Sequence, residues 1–116
     1  MALTLRQKQS LFVELVTMLL KRMTTQGYEM TFGEAYRSPE EAERLFKLGK
    51  GIKNSNHIIK LAIDINLFRD GKFLNSTEAH KQFGQYWKEL HPSCRWGGDF
   101  PKPDGNHYSL EHNGKA

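Results

Sequence analysis

At 116 residues and a formal charge of +4, the chain is sized for one domain around a single modest core. With 38% hydrophobic and 26% charged residues it is not a membrane-embedded protein, and nothing in the composition suggests disorder. Its single cysteine, Cys94, rules out an intrachain disulfide framework and a cysteine-based zinc knuckle, so any metal must be held by histidine and carboxylate.

From about Thr4 to Thr25 the pattern predicts a helix, with Leu5, Phe12, Val16, Leu19 and Met23 on one stripe and Leu11, Leu15 and Met18 widening it. Gly27 suits the position just past its C-cap. Tyr28 to Tyr36 reads as a strand in which Tyr28, Met30 and Phe32 alternate. Ser38-Pro39-Glu40-Glu41 is a helix start: a serine cap, proline at the first helical position and a glutamate able to close a capping box. That helix is expected to turn Ala42, Leu45 and Phe46 inward and to end near Gly49. A Gly-, Lys- and Asn-rich loop over residues 50–56 delivers His57.

Leu61, Ile63, Ile65 and Leu67 then alternate along one face of a buried strand, with Ala62, Asp64, Asn66 and Phe68 on the other. Arg69-Asp70-Gly71-Lys72 signals a tight turn, after which Phe73-Leu74 can pair back as a hairpin. Asn75 to Glu78 offers another cap, and Ala79, Phe83, Trp87 and Leu90 mark an amphipathic helix stopped by Pro92. His80 and His91 read as solvent residues. Residues 93–105 look turn-rich, and His107 to Glu111 a short final strand. The layout predicts an α+β domain spanning residues 1–116, with an N-terminal helix over about 1–27 and the core over 28–116.

Asp64 stands out, because an ionised carboxylate in an apolar strand is costly unless cations or several donors meet it. A metal would meet it, and His57, just upstream, could share that metal. Near the C-terminus Asp104-Gly105-Asn106-His107 leads into the last strand. His57, Asp64 and His107 match the three-ligand count of hydrolytic zinc sites, with Asp104 placed as an acid/base for water attack on a carbonyl. Each residue alone has an ordinary reading: a hydrogen-bonding loop histidine, a turn at Asp104-Gly105. His112 competes as third ligand, although no carboxylate precedes it by three positions.

Taken together these elements carry a resemblance. Ser55-x-His57 followed by Ala62-x-Asp64, then Asp104-x-x-His107-Tyr108, resembles the two signatures of the VanY-type D-alanyl-D-alanine carboxypeptidase family of zinc metallopeptidases. Tyr36-Arg37-Ser38 matches the family's upstream Arg-Ser element. Trp96-Gly97-Gly98-Asp99-Phe100 is similar to a segment of phage L-alanyl-D-glutamate endopeptidases. The resemblance runs from about Phe32 to Glu111 with every element in order. It implies a small antiparallel sheet flanked by helices, as in hedgehog and DD-peptidase-like domains. It further implies Zn²⁺ on His57, Asp64 and His107, Asp104 as acid/base, Arg37 at the substrate carbonyl, and Ser55 and Trp96 as substrate contacts.

The implied activity is hydrolysis of peptidoglycan stem peptides, with the L-alanyl-D-glutamate bond favoured over D-alanyl-D-alanine cleavage. A non-catalytic envelope-binding phage protein is the alternative from another class. The positive charge permits nucleic acid as a partner, but Lys and Arg are scattered and no groove-reading motif occurs, so none is expected. No membrane insertion is expected, and the working state is a monomer. The apolar run over residues 11–20 makes a poor signal peptide, so synthesis in a host cytoplasm and holin-type release, or carriage in a virion, is the expected route. One departure concerns Lys60-Leu61, which stand where the family places a glycine and a variable residue. The His57 loop is therefore expected to be built differently here.

Overall fold

A computed structural model describes residues 2–51 and 55–116. The order is α1 (Leu5–Thr25), β1 (Glu29–Phe32), α2 (Pro39–Lys47), β2 (Ala62–Arg69), β3 (Lys72–Phe73), α3 (Thr77–Leu90), β4 (Cys94–Trp96), a 3₁₀ turn (Gly97–Asp99) and β5 (His107–Leu110). The strands form one antiparallel sheet in the order β1-β2-β5-β4, with β3 folded back on β2. This is the expected α+β architecture.

The first helix begins as its sequence dictates: Thr4 Oγ1 accepts from the Gln7 amide and the Gln7 side chain accepts from the Thr4 amide, a closed capping box. Phe12, Leu15, Val16, Leu19 and Met23 are buried, whereas Leu5 and Met18 face outward, so the core stripe is narrower than predicted. Against these residues pack Leu61, Ile63, Ile65 and Leu67 of the β2 region, Phe83 and Trp87 of α3, and Tyr108 and Leu110 of β5. Helices α1 and α3 therefore cover one face of the sheet. At roughly 1.5–3 kcal/mol for each large apolar side chain taken out of water, this layer supplies the main drive to fold.

The structure also departs from expectation elsewhere. The β1 strand ends at Phe32, which is exposed, because Gly33 breaks the regular ladder. In α2 the Ser38 hydroxyl caps the Glu41 amide, but the Glu41 carboxylate turns to Arg44 instead of closing the box. Only Ala42 of that nine-residue helix is buried, and Phe46 lies outside. The segment expected to be turn-rich contains β4, whose pairing with β5 buries Cys94 and Trp96.

His80 is the largest reversal. It is fully buried, with Nε2 2.9 Å from Asn75 Oδ1 and Nδ1 2.7 Å from the Tyr108 hydroxyl. A carbonyl oxygen only accepts, so Nε2 carries the proton and Nδ1 accepts from Tyr108. Burial lowers the His80 pKa to about 4. The unfolded chain protonates this histidine near pH 6.5 while the folded chain resists, so its stabilising effect is complete above pH 6.5 and is lost toward pH 4. Denaturant titrations should show wild type losing about 2 kcal/mol more than His80→Gln between pH 7.5 and 4.5. Equal losses would show that His80 titrates normally.

Candidate metal centre

Alternation along β2 puts Leu61, Ile63, Ile65 and Leu67 into the core and turns Asp64 to the opposite face. On β5 the same rule buries Tyr108 and Leu110 against the helices and turns His107 outward. The ladder register pairs Asp64 directly with His107. Directly opposed residues hold their Cβ atoms about 5 Å apart, so one pairing register brings the carboxylate and the imidazole together. His107 Nδ1 lies 3.4 Å from Asp64 Oδ1.

The third group comes from the turn before β2. Asn56 is buried and donates to the carbonyls of Leu110 and Lys115, tying this turn to the end of β5. Ser55 Oγ accepts from the His57 amide at 3.2 Å. His57 Nε2 then lies 3.4 Å from the same Asp64 Oδ1. The turn closes through Lys60, whose φ of +60° is the left-handed conformation that favours glycine. Lys60 adopts that angle without being a glycine and lays its ammonium 5.4 Å from the Tyr36 ring centre.

Asp104 is held by a second tight structure. Its amide donates to the Gly97 carbonyl at 2.9 Å, and its own carbonyl accepts from His107 at 3.1 Å. A Cβ on Gly97 would come within 2.1 Å of the Asp104 carbonyl oxygen and 2.8 Å of His107 Cβ, so glycine is required for this approach. Trp96, expected to contact substrate, is only 4% exposed. Its ring lies against Gly84 and Gly98, and its Nε1 donates to the Gly105 carbonyl at 2.7 Å. Trp96 thus braces the turn carrying Asp104 and His107, and it does not line the cleft.

The cleft over these groups has a volume of about 590 Å³, within the usual range for small-molecule and peptide sites. Arg37, Ser55, His57, Asp64, Asp104 and His107 all line it. Arg37 arrives because the chain beyond β1 stays bonded to the metal-facing elements: its amide donates to the His57 carbonyl at 3.1 Å. His112 stands apart, 3.3 Å from the Lys8 ammonium, which removes it as a competing ligand.

Burial alone would raise the Asp64 pKa, but the His107 and His57 imidazoles facing the carboxylate outweigh it and hold the carboxyl at about 2. Asp104 moves the other way, pushed up by burial and then by the Asp64 charge. Although the residue is largely exposed, its carboxyl shares the cleft wall with those groups. The two carboxyls are thereby shifted in opposite directions.

Donor atoms of His57, Asp64 and His107 all lie within 4.8 Å of one another, and Asp64 Oδ1 is buried without a hydrogen-bond partner. Two donors sharing a tetrahedral zinc at 2.0–2.1 Å stand about 3.3 Å apart. The two 3.4 Å separations meet that requirement, and the two-imidazole, one-carboxylate set suits zinc. The residues present fit the ion.

A two-histidine, one-carboxylate cluster in an open cleft, with a second carboxyl beside it, has the donor set of a metal-dependent hydrolase. A family profile described as D-alanyl-D-alanine carboxypeptidase, of the M15 peptidases, matches residues 49–110, more than half of the chain. The chain belongs to this family of zinc peptidases acting on peptidoglycan. Its fold is similar to that of the Serratia marcescens L-Ala D-Glu endopeptidase ChiX, with a TM-score of 0.71 and 19% identity over 86% of this chain and 77% of that one. The zinc-bound E175A mutant of the D,D-pentapeptidase VanY, from a VanB-type vancomycin resistance cassette, gives a TM-score of 0.59 and 15% identity over 85% and 70%. No curated protein sequence gives a significant match.

Proposed function

We propose that the chain is a zinc-dependent L-alanyl-D-glutamate endopeptidase of peptidoglycan stem peptides, serving a phage lysis system, with the ion on His57, Asp64 and His107. The observation that carries this reading is the convergence of both imidazoles on Asp64 Oδ1, at 3.4 Å each, in a cleft that Asp104 and Arg37 also line. When bound, zinc supplies Lewis acidity and brings the pKa of water down to about 7.

Asp104 accepts the proton of the attacking water and returns it to the leaving amine, so one group serves both halves of the hydrolysis. Its raised pKa makes it the stronger base for the first of these transfers. Arg37 offers its guanidinium to the substrate carbonyl oxygen as negative charge grows there. Ser55, at the cleft wall, shapes the His57 turn and presents a hydroxyl toward a bound peptide. No helix among the described residues is long and apolar enough to cross a membrane.

The likeness to ChiX and the Trp96–Phe100 segment favour the L-alanyl-D-glutamate bond. The family profile's own description favours a second reading, removal of terminal D-alanine. Digesting purified peptidoglycan with zinc-loaded protein and identifying the products by mass spectrometry separates them. New D-glutamate amino termini are expected. Released D-alanine alone would replace the first reading with the second, and an undigested wall would end both.

A further inference from the structure

Beside the metal centre His57 Nδ1 is buried without a hydrogen-bond partner, and the nearby carboxylate oxygen Glu34 Oε1 lies 3.7 Å from it. His57 turns its other nitrogen, Nε2, toward Asp64, so Nδ1 points away from the ion's position. Its side chain is only 4% exposed, which leaves water little access to satisfy that nitrogen. The same Glu34 oxygen lies 2.5 Å from Arg37 Nη2.

Backbone bonds fix this placement. Gly33 donates to the Asp64 carbonyl at 2.8 Å, Asp64 donates to the Glu34 carbonyl at 2.9 Å, and Arg37 donates to the His57 carbonyl at 3.1 Å. A Cβ on Gly33 would stand 3.0 Å from Asp64 Cβ, tighter than nearly all such contacts. Residues 33–37 therefore run close beneath both His57 and Asp64, and Glu34 is the carboxylate they deliver.

We propose that Glu34 is a positioning residue of the metal centre. Its carboxylate takes the Nδ1–H of His57, fixing the tautomer that leaves Nε2 free for the ion, and steadies the Arg37 guanidinium with the same oxygen. A carboxylate behind a metal-binding imidazole orients the ring and raises its basicity, and loss of such a partner costs about 10- to 100-fold in metal affinity. Sharing one oxygen links the metal ligand to the cation facing the substrate. This inference rests on the zinc site proposed above.

The test measures zinc affinity by competition with a chromophoric chelator for wild type, Glu34→Ala, Glu34→Gln and Arg37→Met. Circular dichroism and the metal-free melting temperature report whether each variant folds. Glu34→Ala should bind zinc about 10- to 100-fold more weakly. Glu34→Gln, which keeps shape and one acceptor but no charge, should bind about tenfold more weakly and covers the case in which the alanine variant fails to fold. Arg37→Met should stay within about threefold of wild type, since Arg37 does not touch the His57 ring. Long-range proton–nitrogen correlation on the zinc-loaded protein should show a protonated Nδ1 in wild-type His57 and loss of that single tautomer without the carboxylate.

Zinc binding by folded Glu34→Gln within threefold of wild type would overturn the proposal while leaving the metal centre intact. An equal loss in Arg37→Met would assign the effect to the guanidinium and overturn it as well. A wild-type protein that takes up no zinc would overturn the metal centre itself, and this inference with it.

Discussion

Asp104→Asn should lower kcat by about 10²- to 10⁴-fold while leaving zinc content and KM close to wild type. The substitution keeps size and shape, so the turn built by the Gly97 carbonyl, the Asp104 backbone and His107 is undisturbed. What it removes is the capacity to take a proton from water and return it to an amine. In the metal-free protein the same change should raise the melting temperature slightly. Burial and the Asp64 charge raise the Asp104 pKa, which means that its ionised form is disfavoured in the fold at neutral pH. A neutral amide removes that penalty. Lower activity without lower stability is the signature of a group kept for chemistry. Activity within about threefold of wild type, measured on peptidoglycan fragments with zinc content checked, would remove Asp104 from the reaction.

That contrast between chemistry and stability also explains which residues were legible in the sequence. Asp64 was visible because a carboxylate interrupts an otherwise apolar strand, and the period of two that exposes it also fixes its face. His107 was ambiguous on its own and was picked out by the ligand count and the Asp104-x-x-His107 resemblance, and sequence cannot supply its register against Asp64. His57 was visible through its spacing, but the buried anchor beside it, Asn56, was not. Its two bonds reach carbonyls 54 and 59 residues away, a kind of contact that local patterns do not encode.

Glu34 escaped for a different reason. Read locally it is one acidic residue after a glycine near a strand end, a composition typical of surface. Its role arises only where the chain beyond β1 stays bonded to β2. His80 was placed in solvent because a polar residue in an amphipathic helix usually belongs there, yet its two hydrogen bonds make its burial tolerable. Trp96 was expected at the substrate only because the resemblance implied it, whereas here the neighbouring glycines make room for the indole to be buried. Lys60 shows that a left-handed position can be filled by a residue other than glycine. A non-glycine residue in the left-handed region costs about 1 kcal/mol, which the closed turn and the Tyr36 contact help to offset.

Asp64→Asn should abolish both hydrolysis and zinc-dependent stabilisation, because Asp64 is the point at which the centre converges. In wild type, a zinc concentration about 100-fold above the dissociation constant stabilises the fold by about 2.7 kcal/mol. With an unfolding entropy near 2.1 cal/mol/K per residue, that corresponds to a rise of about 10 °C in the melting temperature of a 116-residue chain. The variant loses the anionic oxygen that lies 3.4 Å from both imidazole nitrogens, and an amide oxygen carries no charge to offer a dication. The rise should therefore vanish at the same zinc concentration, and chelation should mimic the mutation in wild type. The metal-free variant should also be less stable above about pH 4, since the depressed pKa of Asp64, about 2, marks a carboxylate that the folded state favours. That difference should close as pH falls toward 2, where wild type loses the same charge. A variant that still melts about 10 °C higher with zinc would place the ion elsewhere, and His57 and His107 would then need another explanation for their approach to one oxygen.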